Sequence, residues 1–338
     1  MTDYFRPLVQ IGPARPDAAV PLAGGWGWFT HAEVLSRSAS PRVVPATDIP
    51  ASVLARLTAA RTEIASLSLD RPRIMGILNT TPDSFSDGGQ HAAVPDAVRA
   101  GQAMVTAGAD ILDIGGESTR PGADFVLVSE EITRTAPVIA ALRGAGLRTP
   151  ISIDTRKSAV AEAAVSAGAN LVNDVSGFTF DPALGPLCQT LGLPVCVMHA
   201  QGDPATMHLD PRYDNVLLDV YDALERQIAV LEASGIPRSA ILADPGIGFG
   251  KTQEHNLALL ARLSLFHALG TPILLGVSRK RFIGTIGNAP QAQDRAPGSI
   301  AVALAGLGQG VQMIRVHDVK DTRQAVALWH AAYFGSIL

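Results

Sequence analysis

The sequence predicts an α/β protein built on a (β/α)₈ barrel. From Arg73 onward, short apolar runs alternate with helix-like stretches, and eight such units span roughly 260 residues, the usual size of this barrel. Strands that alternate with helices imply parallel pairing and crossover connections. An open, doubly wound sheet is the alternative, but the even spacing of the units and the absence of a dinucleotide-binding glycine fingerprint favour the barrel.

The eight apolar runs are the predicted strands: "IMGILN" (74–79), "ILDIGG" (111–116), "ISIDT" (151–155), "LVNDV" (171–175), "VCVMH" (195–199), "ILADPG" (241–246), "ILLGV" (273–277) and "MIRVHD" (313–318). Helices are predicted between them, for example over "PDAVRAGQAMVTAGA", "DNVLLDVYDALERQIAVLEASG" and "GSIAVALAGLGQG". Several of these stretches end at glycine, as in "TAGAD" and "SAGAN", which is a common C-terminal stop for a helix.

Residues 1–72 do not follow this repeat, and we expect them to form an N-terminal appendage packed on a catalytic domain of residues 73–338. The appendage holds Trp26 and Trp28, two of the three tryptophans. Its stretch "ASVLARLTAARTEIASLSL" (51–69) predicts one helix. No motif in the appendage indicates a function.

Composition excludes several classes of protein. A hydrophobic fraction of 47% with 17% charged residues suits a well-buried core, and a net charge of −4 argues against nucleic-acid or membrane-surface binding. No apolar segment approaches the ~20 residues that a membrane span needs, and the N-terminus does not resemble a signal peptide. The two cysteines, Cys188 and Cys196, show neither metal-ligand nor redox spacing. We expect a cytoplasmic enzyme.

Polar residues gather where the predicted strands end, which is where barrels of this kind carry their catalytic groups. One such residue alone more often caps a turn, but every one of the eight ends carries some, and the convergence indicates an active site. The residues concerned are Asn79; Glu117, Ser118, Thr119 and Arg120; Asp154; Asn173 and Asp174; His199; Asp244; Ser278, Arg279 and Lys280; and Arg315 and His317.

These side chains suit the transfer of a group away from a diphosphate. Asp154, Asn173 and Asp244 can pair with the donor and acceptor edge of a nitrogen heterocycle that carries an amino group. Asn79 offers a hard oxygen to Mg²⁺. The first loop, "NTTPDSFSDGG", is long enough to cover the mouth of the barrel. Donors for phosphate oxygens come from Thr119, Arg120, Arg315 and His317.

Two long motifs carry a family resemblance. "GILNTTPDSFSDGG" followed by "DIGGESTRPGA" resembles the two signatures of the dihydropteroate synthases, and "ISIDT", "LVNDVSG", "VMH", "ADPGIGFGK", "GVSRKRFIG" and "IRVHDV" follow in the family's order. The resemblance covers about residues 73–330. It implies an enzyme that joins 6-hydroxymethyl-7,8-dihydropterin diphosphate to p-aminobenzoate in folate synthesis, with Mg²⁺ as cofactor and a homodimer as the assembly.

The resemblance also implies a role for each matching residue. The metal ligand is Asn79, and catalytic roles fall to Asp154, Lys280, Arg315 and His317. Diphosphate is gripped by Arg315 and His317. Pterin is bound by Asp154, Asn173, Asp244 and Lys280, with Met198 of the "VMH" motif also in the substrate site. The residues implied to contact p-aminobenzoate are Phe85, Thr119, Arg120, Pro121 and Ser278, of which Thr119 and Arg120 also contact diphosphate.

One departure from the family pattern falls in the run of three cations, Arg279, Lys280 and Arg281. The last position is often serine in the family, so the rim of the p-aminobenzoate pocket is expected to differ here. We expect Lys280 to point inward, Arg279 to face the barrel wall or an acidic neighbour, and Arg281 to begin the next helix.

Two other functions fit parts of this sequence. A corrinoid-dependent methyltransferase barrel also holds a pterin with Asp and Asn, but it binds no diphosphate and has no use for the cations in "GGESTRPG" and "SRK". A non-catalytic pterin-binding protein is expected to have lost at least one of Asn79, Arg120, Lys280, Arg315 and His317, and all five are present.

Overall fold

The computed structural model describes residues 3–81, 90–118, 125–202, 207 and 209–337. The strands are β1 (Tyr4–Pro7), β2 (Val20–Pro21), β3 (Trp28–Phe29), β4 (His31–Leu35), β5 (Arg42–Pro45), β6 (Arg73–Asn79), β7 (Ile111–Gly115), β8 (Ile151–Asp154), β9 (Leu171–Asp174), β10 (Val195–Met198), β11 (Ile241–Asp244), β12 (Leu274–Leu275) and β13 (Met313–Val316). The α-helices are α1 (Ala51–Thr58), α2 (Gln90–Thr106), α3 (Val128–Gly144), α4 (Ser158–Ser166), α5 (Leu184–Thr190), α6 (Val216–Ala233), α7 (Gln253–Leu260), α8 (Arg281–Ile286), α9 (Ala296–Gly308) and α10 (Val319–Phe334).

Strands β6 to β13 form one parallel sheet of eight strands that curls into a barrel. Hydrogen-bonded neighbours run in the order β11-β10-β9-β8-β7-β6-β13-β12, and a parallel bridge between Ala243 and Ile273 joins the two outer strands. The predicted (β/α)₈ barrel is therefore confirmed, and the open doubly wound sheet is excluded because the two outer strands meet. All eight predicted apolar runs overlap the strands of the barrel.

The N-terminal end of the barrel is closed by an apolar layer. The first inward-facing residues of the strands, among them Met75, Ile111 and Met313, pack with Ile64 and Leu69 of the segment that leads into β6. Ile64 is 1% exposed and Leu69 is 2% exposed. Burying these side chains removes apolar surface from contact with water and so stabilises the fold. The segment that carries Ile64 and Leu69 is therefore part of the barrel core.

The appendage has its own small core, which rests on a 3₁₀ turn of the barrel at Leu263–Leu269. Strands β1, β4 and β5 form an antiparallel sheet, and β2 pairs with β3. Their buried side chains, including Phe29 and Leu57, form one cluster that also contains Ala268 of the barrel. The Trp26 indole donates to the carbonyl of Leu307 at 2.9 Å, which ties the appendage to α9.

The helix predicted over 51–69 is too long, because α1 ends at Thr58. The last turn of α1 is bound to an earlier part of the appendage, because Ala23 donates its N–H to the carbonyl of Leu57 at 2.8 Å. The Arg61 guanidinium bonds the carbonyls of Arg56 and Ala59 and reaches His267 of the barrel. The chain leaves the helix here and runs on to place Ile64 and Leu69 beneath the barrel, and no helical continuation through residue 69 occurs.

Two truncations separate the appendage from the closing layer. A chain that starts at Thr62 keeps Ile64 and Leu69, whereas a chain that starts at Asp70 loses both and uncovers the base of the barrel. We expect both to keep measurable turnover, because the family motifs begin at Arg73 or later. The shorter chain should melt at the lower temperature, since two buried aliphatic side chains contribute about 1.5–3 kcal/mol each. Thermal melting and steady-state assays on both chains test this, and a folded, inactive chain from Thr62 would place the appendage in the site.

The helices on the outside of the barrel alternate with the strands and shield the sheet from water. Helix α6 is typical, since Asn215 caps its first turn by accepting from the N–H of Leu218 at 3.2 Å. None of the helices in the described ranges is long and apolar enough to cross a membrane.

Candidate active site

The centre of the barrel mouth is a half-buried arginine held between two carboxylates. Nε of Arg315, on β13, donates to Oδ2 of Asp113 at 2.6 Å, and Nη2 donates to Oδ2 of Asp154 at 2.7 Å. Asn173, on β9, donates its amide to the same oxygen of Asp113 at 3.1 Å. Side chains from four strands therefore meet in one charged cluster inside the barrel, as the strand-end pattern predicted for Asp154, Asn173 and Arg315.

Asp113 is the residue of this cluster that the sequence analysis missed. It is fully buried, and its Oδ1 has no hydrogen-bond partner among the described residues. The signal was available: Asp113 lies two positions before Gly115 on β7, so both face the barrel interior. A charged residue at an inward position of an otherwise apolar strand needs a partner, and Arg315 is that partner.

Burial alters the protonation of two carboxylates at the mouth, Asp154 and Asp244. It raises the pKa of Asp154 to about 7, an effect that the Arg315 guanidinium opposes and the nearby Asp113 reinforces. Burial also raises the pKa of Asp244, while its bond from the N–H of Gly246, at 2.7 Å, acts in the opposite direction. Asp154 can thus change protonation near neutral pH, and the pKa of Asp244 is displaced in the same direction; such shifts are typical of functional sites rather than of ordinary surface acids.

Two glycines leave room beside these carboxylates. A Cβ placed on Gly115 would lie 3.5 Å from Cβ of Asp154, and one placed on Gly276 would lie 3.6 Å from Oδ2 of Asp244. Any larger side chain at either position would cover a carboxylate edge. The mouth therefore offers hydrogen-bond acceptors beside open space that suits a flat, polar ring.

The run of cations at the end of β12 separates into three environments. Arg279 adopts a left-handed conformation, with φ of 59°, and its guanidinium pairs with Asp318 at 2.5 Å. Lys280 faces the site, with Nζ 4.0 Å from the centre of the Phe249 ring, a cation–π contact. Arg281 is exposed and is the first residue of α8. A turn, rather than a strand, explains why three consecutive cations serve different purposes.

The remaining predicted residues within the described ranges also lie at the mouth. Ser278 and His317 contact each other, with Oγ and Nδ1 2.9 Å apart, and the Ser278 hydroxyl also accepts the N–H of His317. Met198 is buried at the end of β10, opposite Asp244 in register. Asn79 is half-buried at the end of β6. Four predicted residues, Phe85, Thr119, Arg120 and Pro121, lie outside the described residues.

Three strand-end residues serve the framework instead of the mouth. The carboxylate of Glu117 lies in a buried ionic cluster with Arg156 and Lys157, at 3.1 and 3.2 Å. Asp174 accepts the N–H groups of Ser176 and Phe178 and so holds the turn after β9. His199 is bound by a buried lysine behind the site. The strand-end pattern could not separate these from the residues that face the mouth, because inward and outward positions alternate along a strand.

A metal site assembled from protein side chains alone is absent from the described ranges. They contain no group of three or more His, Cys, Asp or Glu residues placed to hold an ion. The sequence analysis assigned a single protein ligand, Asn79, to the metal.

Comparison with known proteins identifies the family. The model of the family described as "Pterin binding enzyme" matches residues 75–317. Dihydropteroate synthase of Escherichia coli (strain K12) is 47% identical over 266 residues, which cover 79% of this chain and 93% of that protein. Dihydropteroate synthase of Neisseria meningitidis serogroup B is 44% identical over 270 residues, which cover 78% and 94%.

Solved structures show the same fold. A Xanthomonas albilineans dihydropteroate synthase with 4-aminobenzoic acid superposes with a TM-score of 0.76 at 45% identity, over 80% of this chain and 97% of that one. The enzyme of the same organism in complex with 7,8-dihydropteroate gives a TM-score of 0.72 at 42% identity, over 79% and 95%. Since sequence, fold and family model agree over the whole barrel, the chain belongs to the dihydropteroate synthases, within the pterin-binding enzymes.

Proposed function

We propose that this enzyme joins 6-hydroxymethyl-7,8-dihydropterin diphosphate to p-aminobenzoate, giving 7,8-dihydropteroate and diphosphate in folate biosynthesis. The observation that carries the proposal is the pair of buried carboxylates, Asp154 and Asp244, each beside a glycine in the barrel mouth. An ionised carboxylate presents two acceptor oxygens to the N–H groups of an aminopterin ring. The Asn173 amide, bonded to Asp113, adds a further polar group at the same level of the barrel.

The reaction breaks the bond between the pterin methylene carbon and a diphosphate oxygen, and the electron pair leaves with the diphosphate. A bond then forms between that carbon and the amine nitrogen of p-aminobenzoate, which loses one proton. Positive charge develops on the pterin as diphosphate departs. The carboxylates of Asp154 and Asp244 stabilise this charge more in the transition state than in the ground state. This lowers the activation free energy for the departure of diphosphate.

Donors at the mouth would receive the leaving group. His317 and Lys280 are the candidates at the ends of β13 and β12, and Thr119 and Arg120 are implied by the family motif. Arg315 would also contact the diphosphate, and its Nε and Nη2 donate to Asp113 and Asp154 and so hold these two carboxylates in place. We assign no general base, because an aniline nitrogen is weakly basic and can release its proton to water after attack.

Magnesium fits this site as an ion shared with the substrate. Mg²⁺ usually binds through one or two protein oxygens together with substrate phosphates and waters, and Asn79 supplies one such oxygen at the end of β6. When bound, Mg²⁺ would neutralise negative charge on the diphosphate. Asn79 itself would fix the position of the leaving group relative to the ring.

The Asn79→Ala variant tests this assignment. We expect it to raise the Mg²⁺ concentration needed for half-maximal turnover by about 10-fold, the effect of losing one ligand interaction of ~1.4 kcal/mol. Asn79→Asp, which keeps a ligand oxygen and adds charge, is the matched control and should not need more Mg²⁺ than the wild type. If Asn79→Ala shows the wild-type Mg²⁺ dependence, the metal is held elsewhere.

The reaction itself is tested by measuring products. Incubation of the enzyme with the dihydropterin diphosphate and p-aminobenzoate should give diphosphate and 7,8-dihydropteroate in equal amounts, and omission of p-aminobenzoate should abolish the second product. A protein that binds the dihydropterin tightly without consuming it would be the non-catalytic binder instead. Methyl transfer without diphosphate release would point to the methyltransferase.

The homodimer and the cytoplasmic location stay predictions. The dimer is supported by an apolar strip on the outer surface, where α9 exposes Pro297, Ala301 and Ala305 and the adjacent α10 exposes Leu328. Light scattering of the purified enzyme decides the mass in solution.

A further inference from the structure

The segment that follows β11, Pro245–Lys251, forms a tight loop that we call the glycine loop. Gly246, Gly248 and Gly250 all have positive φ, of 66°, 81° and 59°. A Cβ on Gly246 would lie 1.9 Å from the carbonyl oxygen of His199, and one on Gly250 would lie 2.4 Å from that of Gln201. The loop therefore lies directly against the backbone that follows β10, with no room for a side chain at these two glycines.

Lys251, the last residue of the glycine loop, carries a buried amino group that the proposed mechanism does not use; burial lowers its pKa to about 7, a shift that the Asp244 carboxylate opposes. Its Nζ donates to the carbonyls of Gly246, Phe249 and His199, at 2.9, 3.0 and 3.2 Å. It also lies 2.9 Å from Nδ1 of His199. Burial lowers the pKa of His199 to about 3, so the imidazole is neutral and its Nδ1 can act as an acceptor, and the four acceptors share the three N–H groups of the protonated amine.

The glycine loop in turn touches two of the pterin-facing residues. The N–H of Gly246 donates to Oδ1 of Asp244 at 2.7 Å. The Phe249 ring lies beneath the Lys280 ammonium at 4.0 Å, and a Cβ on Gly248 would be 3.1 Å from Cδ of Lys280. Two of the three carbonyls that Lys251 binds therefore belong to residues in contact with the site. The amide of Gly246 donates to Asp244, and the ring of Phe249 contacts Lys280.

We infer that Lys251 is a positioning residue for pterin binding: it gathers the carbonyls of Gly246, Phe249 and His199 onto one ammonium and so fixes Asp244 and Lys280. A buried ammonium is a costly way to stabilise a fold, since apolar replacements of buried charges often stabilise proteins. A cation with several donors can, however, hold convergent carbonyls that an apolar side chain would leave unpaired. The inference rests on the proposed function, because Asp244 and Lys280 are assigned to the pterin there.

The experiment compares Lys251→Met with a control that is destabilised elsewhere. Leu57→Ala removes a fully buried side chain from the core of the appendage and leaves the glycine loop intact. Calorimetric titration with 6-hydroxymethyl-7,8-dihydropterin should show at least a 10-fold weaker affinity for Lys251→Met and an unchanged affinity for Leu57→Ala. An affinity for Lys251→Met within 2-fold of the wild type, at a similar loss of thermal stability, would mean that Lys251 only stabilises the fold.

A double mutant tests the route through the loop. Phe249→Leu removes the ring beneath Lys280, and adding it to Lys251→Met should weaken binding little further, because both changes act through one contact. Fully additive losses would overturn the route. If Lys251→Met does not fold, Lys251→Gln replaces it; because its amide keeps two donors for the carbonyls, its affinity for the pterin should fall by more than 2-fold but less than expected for Lys251→Met, and an affinity within 2-fold of the wild type would overturn the inference. Weakened pterin affinity in an enzyme that never releases diphosphate would contradict the proposed reaction and support the role of Lys251.

Discussion

Replacing Arg315 with methionine should lower kcat/KM for the dihydropterin diphosphate by a factor on the order of 10³. The substitution removes two charged hydrogen bonds, each worth about 1.5–3 kcal/mol, and leaves Asp113 and Asp154 buried together with no cation between them. Removing one member of a buried ion pair also destabilises the fold by about 3–5 kcal/mol. Thermal melting must therefore accompany the kinetics, so that activity is compared only among folded variants.

The pH dependence of kcat/KM distinguishes the loss of the Arg315 charge from a general loss of folded enzyme. Pterin binding through two acceptor oxygens needs Asp154 ionised, and its pKa is about 7 in the presence of Arg315. In the wild type, kcat/KM should therefore rise as the pH increases through about 7. Arg315→Met removes the cation that opposes protonation, so the pKa of Asp154 rises and the inflection should move to higher pH by about one unit or more.

Arg315→Lys serves as the control for this prediction. It keeps a positive charge but cannot bridge two carboxylates with a planar fork, so its activity should fall between those of the wild type and Arg315→Met. An unchanged inflection in Arg315→Met would show that Asp154 is not the group that titrates.

The second large effect is expected at Lys280. Lys280→Ala should reduce kcat/KM at least ~10-fold, equivalent to ~1.4 kcal/mol, because a charged contact in a dry pocket is lost. Lys280→Arg should restore only part of this, since a forked guanidinium does not replace a compact ammonium above the Phe249 ring. Steady-state kinetics at saturating p-aminobenzoate measures both variants.

The neighbouring cations supply the controls for Lys280. Arg279→Ala breaks the pair with Asp318 and should lower the melting temperature while leaving kcat/KM close to the wild type. Arg281→Ser changes an exposed residue at the start of α8, so its effect should be confined to the KM for p-aminobenzoate. Equal, small changes at all three positions would mean that the run is only a solvated patch.

Sequence patterns predicted the barrel because its strands are short apolar runs with polar ends, and that signal is local. They also placed Asp154, Asn173, Asp244 and Arg315 together, because parallel strands bring their C-terminal ends to the same face. The predicted length of α1 was wrong, because contacts with distant residues decide where the chain leaves the helix. The contact of Arg61 with His267 is one of these.

What the sequence did not reveal was which polar residues support others. Glu117 and Asp154 both lie at the C-terminal ends of barrel strands. Glu117 pairs with Arg156 and Lys157 of the framework, whereas Asp154 pairs with Arg315. Lys251 ends a glycine-rich motif, but its acceptor at His199 lies on a different part of the chain. Partnerships across such separations depend on packing, which no local pattern encodes.

The apolar layer at the base of the barrel has a consequence for the traffic of molecules. With Ile64 and Leu69 closing the N-terminal end, the described residues leave the opposite end as the route by which substrates enter and products leave. Asp154, Asn173 and Asp244 end strands β8, β9 and β11, at the other end of the barrel from this layer. Substrates and products would therefore pass through the same end of the barrel, so dihydropteroate must leave before the next dihydropterin can bind.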